Sequence, residues 1–459
     1  MCIRDRWEDR ITLGMLTAIL LARAWAGLGA PLTRWQLRIP IMAVIALVLV
    51  RVASMSRVCR EEQAPYCTPS FYAYHATTDF ADNPAYALSG PATNSPYALL
   101  AAYVVAFGIA DVLRQALMPS RAHLSTASTL LTWVIRPAML GAAGFWLADW
   151  VHGLDRWDEP TRATFFVVKM WVARVVLVVL LCGSVYWYLS PLSLSVLHER
   201  PAPGAQARVL LLGFGNTFGA AFLLAMSLIF AYLFLLSQPM GQLALTACFV
   251  ALLLLAELGD HERDARLLAA SKLAQATKTK EVTSTRHGPS FLDVVCVALL
   301  GFVAFFGTGH QATFSSIQWR VAFVGFSTVT YPWSPLFVIL NAFGPLCVLP
   351  AFGVVLLTLW NLAPTRERPD EERPPPMRLP CDILRSALAL LLYAGTLTLS
   401  AATWAWFFRR HLMLFKIWVP RYMTAGLGLL VTDVALLGAV LTAWCIASHT
   451  SRAFGTLYS

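Results

Sequence analysis

Continuous apolar runs of about 20 residues recur along this whole sequence, and no other feature narrows its possible folds so far. A helix rises about 1.5 Å per residue, so such a run crosses the roughly 30 Å hydrocarbon core of a bilayer. The runs are unbroken rather than alternating, which argues against the strands of a membrane barrel. In lipid a helix satisfies its own backbone donors and acceptors, so a bundle of helices is the fold that remains. Composition agrees: 58% of the 459 residues are apolar and 13% charged, against about 45–50% and 25% in soluble domains. The predicted fold is therefore an all-α, polytopic transmembrane helix bundle.

About eleven spans are predicted, at roughly 11–29, 39–55, 96–113, 127–151, 164–189, 209–235, 239–257, 291–307, 335–360, 382–406 and 418–448. Residues 1–10 read as a non-native or truncated start. The first helices fill 11–55, a polar loop 56–95 follows, and more helices fill 96–257. A loop at 258–290, a membrane section at 291–360 with a polar loop at 308–334, a linker at 361–381 and a last section at 382–459 complete the order. The linker is charged and rich in proline and has no reason to fold.

Loop charge sets the orientation. Loop 258–290 carries Arg263, Arg266, Lys272, Lys278, Lys280 and Arg286, and the linker carries Arg366, Arg368, Arg373 and Arg378. Both are expected in the cytosol. Alternation then puts 56–95, 152–163, 308–334 and 407–417 on the opposite face. The net charge of +10 follows from these loops, and no basic stripe interleaved with aromatics suggests nucleic acid. Cys59 and Cys67 bracket CREEQAPYC on the non-cytosolic side, where disulfides persist, and are expected to pair. The basic residues of 407–417 break the charge rule.

Two clusters could carry function. The densest polar and aromatic stretch follows the eighth span and includes His310, Gln311 and Trp319. It could grip a sugar or phosphate, or it could be an interfacial turn whose polar groups satisfy one another. Arg409, Arg410 and His411 form the second. They could clamp a phosphate, as guanidinium forks do, or reach toward lipid headgroups. Six charges lie inside predicted spans: Arg23, Asp111, Arg136, Lys169, Arg174 and Asp433. They read as inter-helix pairs, for instance Asp433 with Arg136 or Arg174, or as a transporter's pathway. Asp260-His261 has no companion ligands, so no metal site and no catalytic residue is assigned. No nucleophile elbow, HExxH or P-loop occurs.

The stretch FFGTGHQATFSSIQWRVAFVGF (305–326), with RRHLMLFKIWVPRYM at 409–423 and VTDVALL after it, resembles the membrane region of the GPI ethanolamine phosphate transferases, best the type acting on the third mannose. The Cys59–Cys67 segment looks like a further match. That resemblance implies a zinc-dependent lumenal domain upstream, absent from these residues, and an endoplasmic reticulum location. It also implies phosphatidylethanolamine and a GPI precursor as partners beside membrane lipids, and a small accessory membrane subunit. The chain would be the membrane half, inactive alone, with no cofactor of its own, and His310, Gln311, Trp319, Arg409, Arg410 and His411 would meet lipid substrates. A secondary transporter, or an acyltransferase using His310 as general base, are the alternative readings.

Overall fold

The structure is a computed structural model that describes residues 2–28, 38–55, 96–152, 157–199, 208–276, 288–310, 317–364, 378–411 and 418–458. Its helices are α1 (Cys2–Leu28), α2 (Arg38–Met55), α3 (Pro96–Leu117), α4 (Thr126–His152), α5 (Glu159–Leu189), α6 (Thr217–Leu236), α7 (Pro239–Ala276), α8 (Phe291–Gly307), α9 (Trp333–Leu359), α10 (Arg378–Phe407) and α11 (Val419–Tyr458). Single π-turns at Leu131–Ile135 and Gly344–Val348 interrupt α4 and α9. Among the described residues eight helices, α3 to α7 and α9 to α11, are long and apolar enough to cross a membrane, and α8 is a shorter apolar helix. The all-α fold class stands. The expected number of about eleven crossings is not established by length and composition, since α1 and α2 are not among those eight.

Two expectations need correction: the predicted loop 258–290 continues as helix α7 as far as Ala276, and a predicted span is shortened. The run 209–235, read as one span, begins as a strand. Ser195–Glu199 (β1) and Arg208–Leu212 (β2) pair antiparallel, with Ser195 opposite Leu212 and Glu199 opposite Arg208. A short apolar run such as RVLLL does not distinguish a strand from a helix end. The hairpin docks on the α3–α4 turn, where Ser193 Oγ donates to the carbonyls of Ala122 (2.6 Å) and Leu124 (2.7 Å).

Helices α6, α7 and α9 form the centre, with 83–89% of their apolar windows buried. Helices α5, α10 and α11 surround them and bury only 22–33% of theirs. Leu388, Leu392 and Leu399 on α10, and Leu430, Val434, Leu437 and Leu441 on α11, are exposed apolar residues at helical spacing. In water such a surface would aggregate, whereas in lipid it costs nothing.

Five of the six span charges have a partner, as one reading of the sequence has it, but not the partners named there. Arg136 bonds Asp111 rather than Asp433. Arg174 Nε donates to the Gly325 carbonyl at 2.9 Å. Lys169 Nζ lies 2.8 Å from Asp149. Arg23 pairs with Asp293 and approaches Glu262 at 3.9 Å. Asp433 is exposed on α11. These contacts also sort the ends of the bundle. Arg23, Glu262 and Asp293 meet at one end. The last residues of α2, α6 and α8 meet at the other, where a Cβ on Gly307 would lie 2.9 Å from the Ala53 carbonyl and 2.8 Å from Ala244 Cβ.

Candidate functional site

The end of the bundle opposite the Arg23 cluster is built around the helix-ending sequence FFGTGHQ. Gly307 closes α8 where α2 and α7 leave no room for a side chain. Gly309 adopts φ 87°, a left-handed conformation that glycine reaches without steric cost. The turn drives His310 inward until 2% of it is exposed. Its Nε2 lies 2.9 Å from Asn341 Oδ1 and its Nδ1 3.0 Å from Thr308 Oγ1. Asn341 Nδ2 donates to the Leu236 carbonyl at 2.9 Å, which fixes Oδ1 as an acceptor. The proton of neutral His310 therefore sits on Nε2, and Nδ1 accepts from Thr308. Burial pushes the imidazole down to about 4, partly offset by the bond to Asn341.

This network finishes α6. A helix leaves its last carbonyls without intrahelical partners. Here Gln242 Nε2 donates to Phe234, Trp146 Nε1 to Leu235 and Asn341 to Leu236, each at 2.9 Å. Three helices thus cap a fourth, and His310 orients one of the caps. Gln318 Nε2 donates to the Thr308 carbonyl at 2.8 Å, tying the turn to the short 3-10 helix Trp319–Phe323. Trp319 is 65% exposed. Gln311, and the Cys59–Cys67 pair, lie outside the described residues.

The second cluster lies at the end of α10. Arg409, Arg410 and His411 are exposed. Arg409 stands over the Trp406 ring at 4.7 Å, and His411 meets Phe408 edge-on at 6.0 Å. Phe408 stacks on Trp418 at 4.7 Å and on Trp404 at 5.6 Å. Trp404, Trp418 and Arg421 then line a cavity of about 710 Å³ whose opposite wall includes Phe305 and Phe306. Phe305 in turn stacks on His310 at 5.4 Å. None of His310, Trp319, Arg409, Arg410 and His411 lines this cavity; Phe305, which stacks on His310, and Trp404, which stacks on Phe408, do. The cavity is a mostly apolar chamber between α1, α8, α9, α10 and α11, in the size range of ligand sites. Arg421, which lines it, stands over the Trp418 ring at 5.8 Å.

Sequence reasoning did not single out Asn341, Trp404, Trp418 or Arg421. Asn341 left a signal, as an amide in the otherwise apolar WSPLFVILNAF. The cavity left none, because it forms between helices distant in sequence.

Over 396 residues, 86% of its length, the chain is 26% identical to GPI ethanolamine phosphate transferase 3 of Eremothecium gossypii. Over 414 residues it is 28% identical to the Saccharomyces cerevisiae protein of that name. Its sequence relatives are GPI ethanolamine phosphate transferases. A Homo sapiens relative, GPI ethanolamine phosphate transferase 3, catalytic subunit, is 31% identical over 190 residues. The chain spans about a third of the length of the two fungal relatives, 34% and 35%, in their C-terminal region. No family model and no solved structure matches it.

Proposed function

We propose that this chain is the membrane portion of a GPI ethanolamine phosphate transferase of the endoplasmic reticulum, and that it positions a lipid-linked donor and a GPI acceptor for transfer to a mannose, the third. The observation that carries the reading is the apolar cavity at the end of the bundle that holds the FFGTGHQ turn, in a chain whose relatives bear that name. Phosphatidylethanolamine and a GPI precursor are both lipids. Seating their chains in the bundle lowers the entropy cost of bringing two headgroups together. Arg410, Arg409 and His411 meet phosphates on this reading, Trp319 stacks on a sugar face, and Gln311 bonds a hydroxyl. His310 holds the turn that presents them. A small accessory membrane subunit completes the assembly. The transfer chemistry and its zinc belong to the part of the relatives that this chain does not match.

Two observations favour this reading over its competitors. Five of the six charges within the spans are paired or bonded, as Arg136 and Lys169 are, and the large cavity is apolar, whereas a secondary transporter gathers charges around a midplane site. Both ring nitrogens of His310 are engaged inside the fold, which leaves no free face for a general base.

The test replaces the matched region of the Saccharomyces cerevisiae relative with these residues, in cells depleted of that relative. The chimera should restore phosphoethanolamine transfer, and Arg410→Ala should lower it several-fold without loss of protein. Normal transfer in that variant leaves Arg410 a role toward bulk lipid only.

A further inference from the structure

A second cavity, of about 290 Å³, lies between the end of α4, the first half of α5 and the segment after Trp319. It is a site of a different kind from the apolar chamber. Asp149, His152, Lys169 and Arg320 line it, with Trp150 and Phe166 among its walls. Lys169 Nζ lies 2.8 Å from Asp149 Oδ1 and 3.5 Å from His152 Nδ1, and it stands over the Phe166 ring at 5.3 Å. Arg320 Nη1 lies 4.0 Å from the other oxygen of Asp149. That separation gives Coulomb attraction but no hydrogen bond.

Two cations therefore face one carboxylate. Lys169 and Asp149 are 14% and 19% exposed and compensate each other, while Arg320 is 52% exposed and opens onto the cavity. With His152 neutral, the crevice carries a net charge of +1. A cation facing a cavity near the membrane surface calls for a counter-charge. A guanidinium presents a planar fork that fits two oxygens of a phosphate, and an ammonium at its side supplies a point charge.

We propose that this crevice binds an anionic phosphate group, the chemistry shared by a phospholipid headgroup and by free phosphate. Arg320 grips two phosphate oxygens, Lys169 donates to a third, and Asp149 keeps the pocket's charge at one. The aromatic walls exclude water from one side of the anion. The site is separate from the transfer reading and does not depend on it.

The experiment uses the purified 459-residue chain in dodecyl maltoside. Binding of dioctanoyl phosphatidylglycerol is measured by native mass spectrometry, with dioctanoylglycerol as the phosphate-free control and sodium phosphate as competitor. The expected result is that Arg320→Gln weakens phosphatidylglycerol binding by about tenfold, that Arg320→Lys, which keeps the charge but loses the planar fork, falls between parent and Arg320→Gln, and that dioctanoylglycerol does not bind. Asp149→Asn, which raises the pocket's net charge, should bind at least as tightly as the parent. A purely structural role for the cluster predicts the reverse. Displacement by millimolar phosphate identifies free phosphate as the ligand, and resistance to it identifies a headgroup; either supports the site. Parent-like binding in Arg320→Gln, or equal binding of the phosphate-free lipid, overturns it. Arg320 is half-exposed, so its variants leave the fold intact, and an unchanged melting temperature checks this.

Discussion

His310 shows how one residue can look functional and act through structure. Its neighbours Gly307, Gly309 and Thr308 are what a turn into the core requires, and its two nitrogens link Thr308 to Asn341. The imidazole is buried and its folded value is about 4, below the ordinary histidine value of 6.5. The folded state thus binds fewer protons than the unfolded state between those values, so stability is full above about pH 6.5 and falls as pH drops toward 4. The predicted loss is on the order of 3 kcal/mol across that window. Thermal unfolding in detergent from pH 7.5 to 4 should show it, and His310→Gln should remove that pH-dependent component. An identical pH profile in the variant contradicts the assignment. Asn341→Ala should cost about 1–3 kcal/mol at neutral pH, because it strands the Leu236 carbonyl and His310 Nε2 in the core.

At the scale of elements, the bundle is held by helix ends that finish one another. The Arg23–Asp293 pair joins α1 to α8, and the carboxylate of Asp293 also bonds the Ser290 backbone in a capping box. Removing one partner leaves a buried charge. Asp293→Leu should therefore destabilise by about 3–5 kcal/mol, and adding Arg23→Met should recover most of that. The midpoint of unfolding of the two variants checks it; equal destabilisation would show that packing rather than charge dominates. Much of this level was legible in the sequence. Unbroken apolar runs place helices α3 to α11, and the two glycines of FFGTGHQ mark where α8 stops. What was not legible has a physical cause. Pairing of span charges depends on which helix faces which, so Arg136 finds Asp111 and not Asp433. The β1–β2 hairpin hides in an apolar run because hydropathy carries no information about backbone conformation. Arg320 sat beside the flagged Trp319, but its crevice needs Asp149 and Lys169 from two other helices.

For the whole molecule, the contacts divide the bundle into two ends, with Arg23, Glu262 and Asp293 at one and Gly307, Leu236 and Ala53 at the other. Loop charge assigns the first end to the cytosol. Single cysteines introduced at Trp319 and Arg410 should then react with an impermeant maleimide from the lumenal side of sealed vesicles, while one at Ala265, exposed on the last part of α7, should not. Labelling of all three from one side would break the topology. On the proposed reading the apolar cavity ties this end to lipid substrates, and the most direct test is to fill it. Ala401 lines the chamber beside Trp404. Ala401→Trp in the chimera described above should reduce phosphoethanolamine transfer by roughly tenfold or more, as expected when positioning at a site is lost, with protein level and melting temperature unchanged. Full transfer with the cavity filled would contradict the proposal that the bundle seats the lipids it acts on.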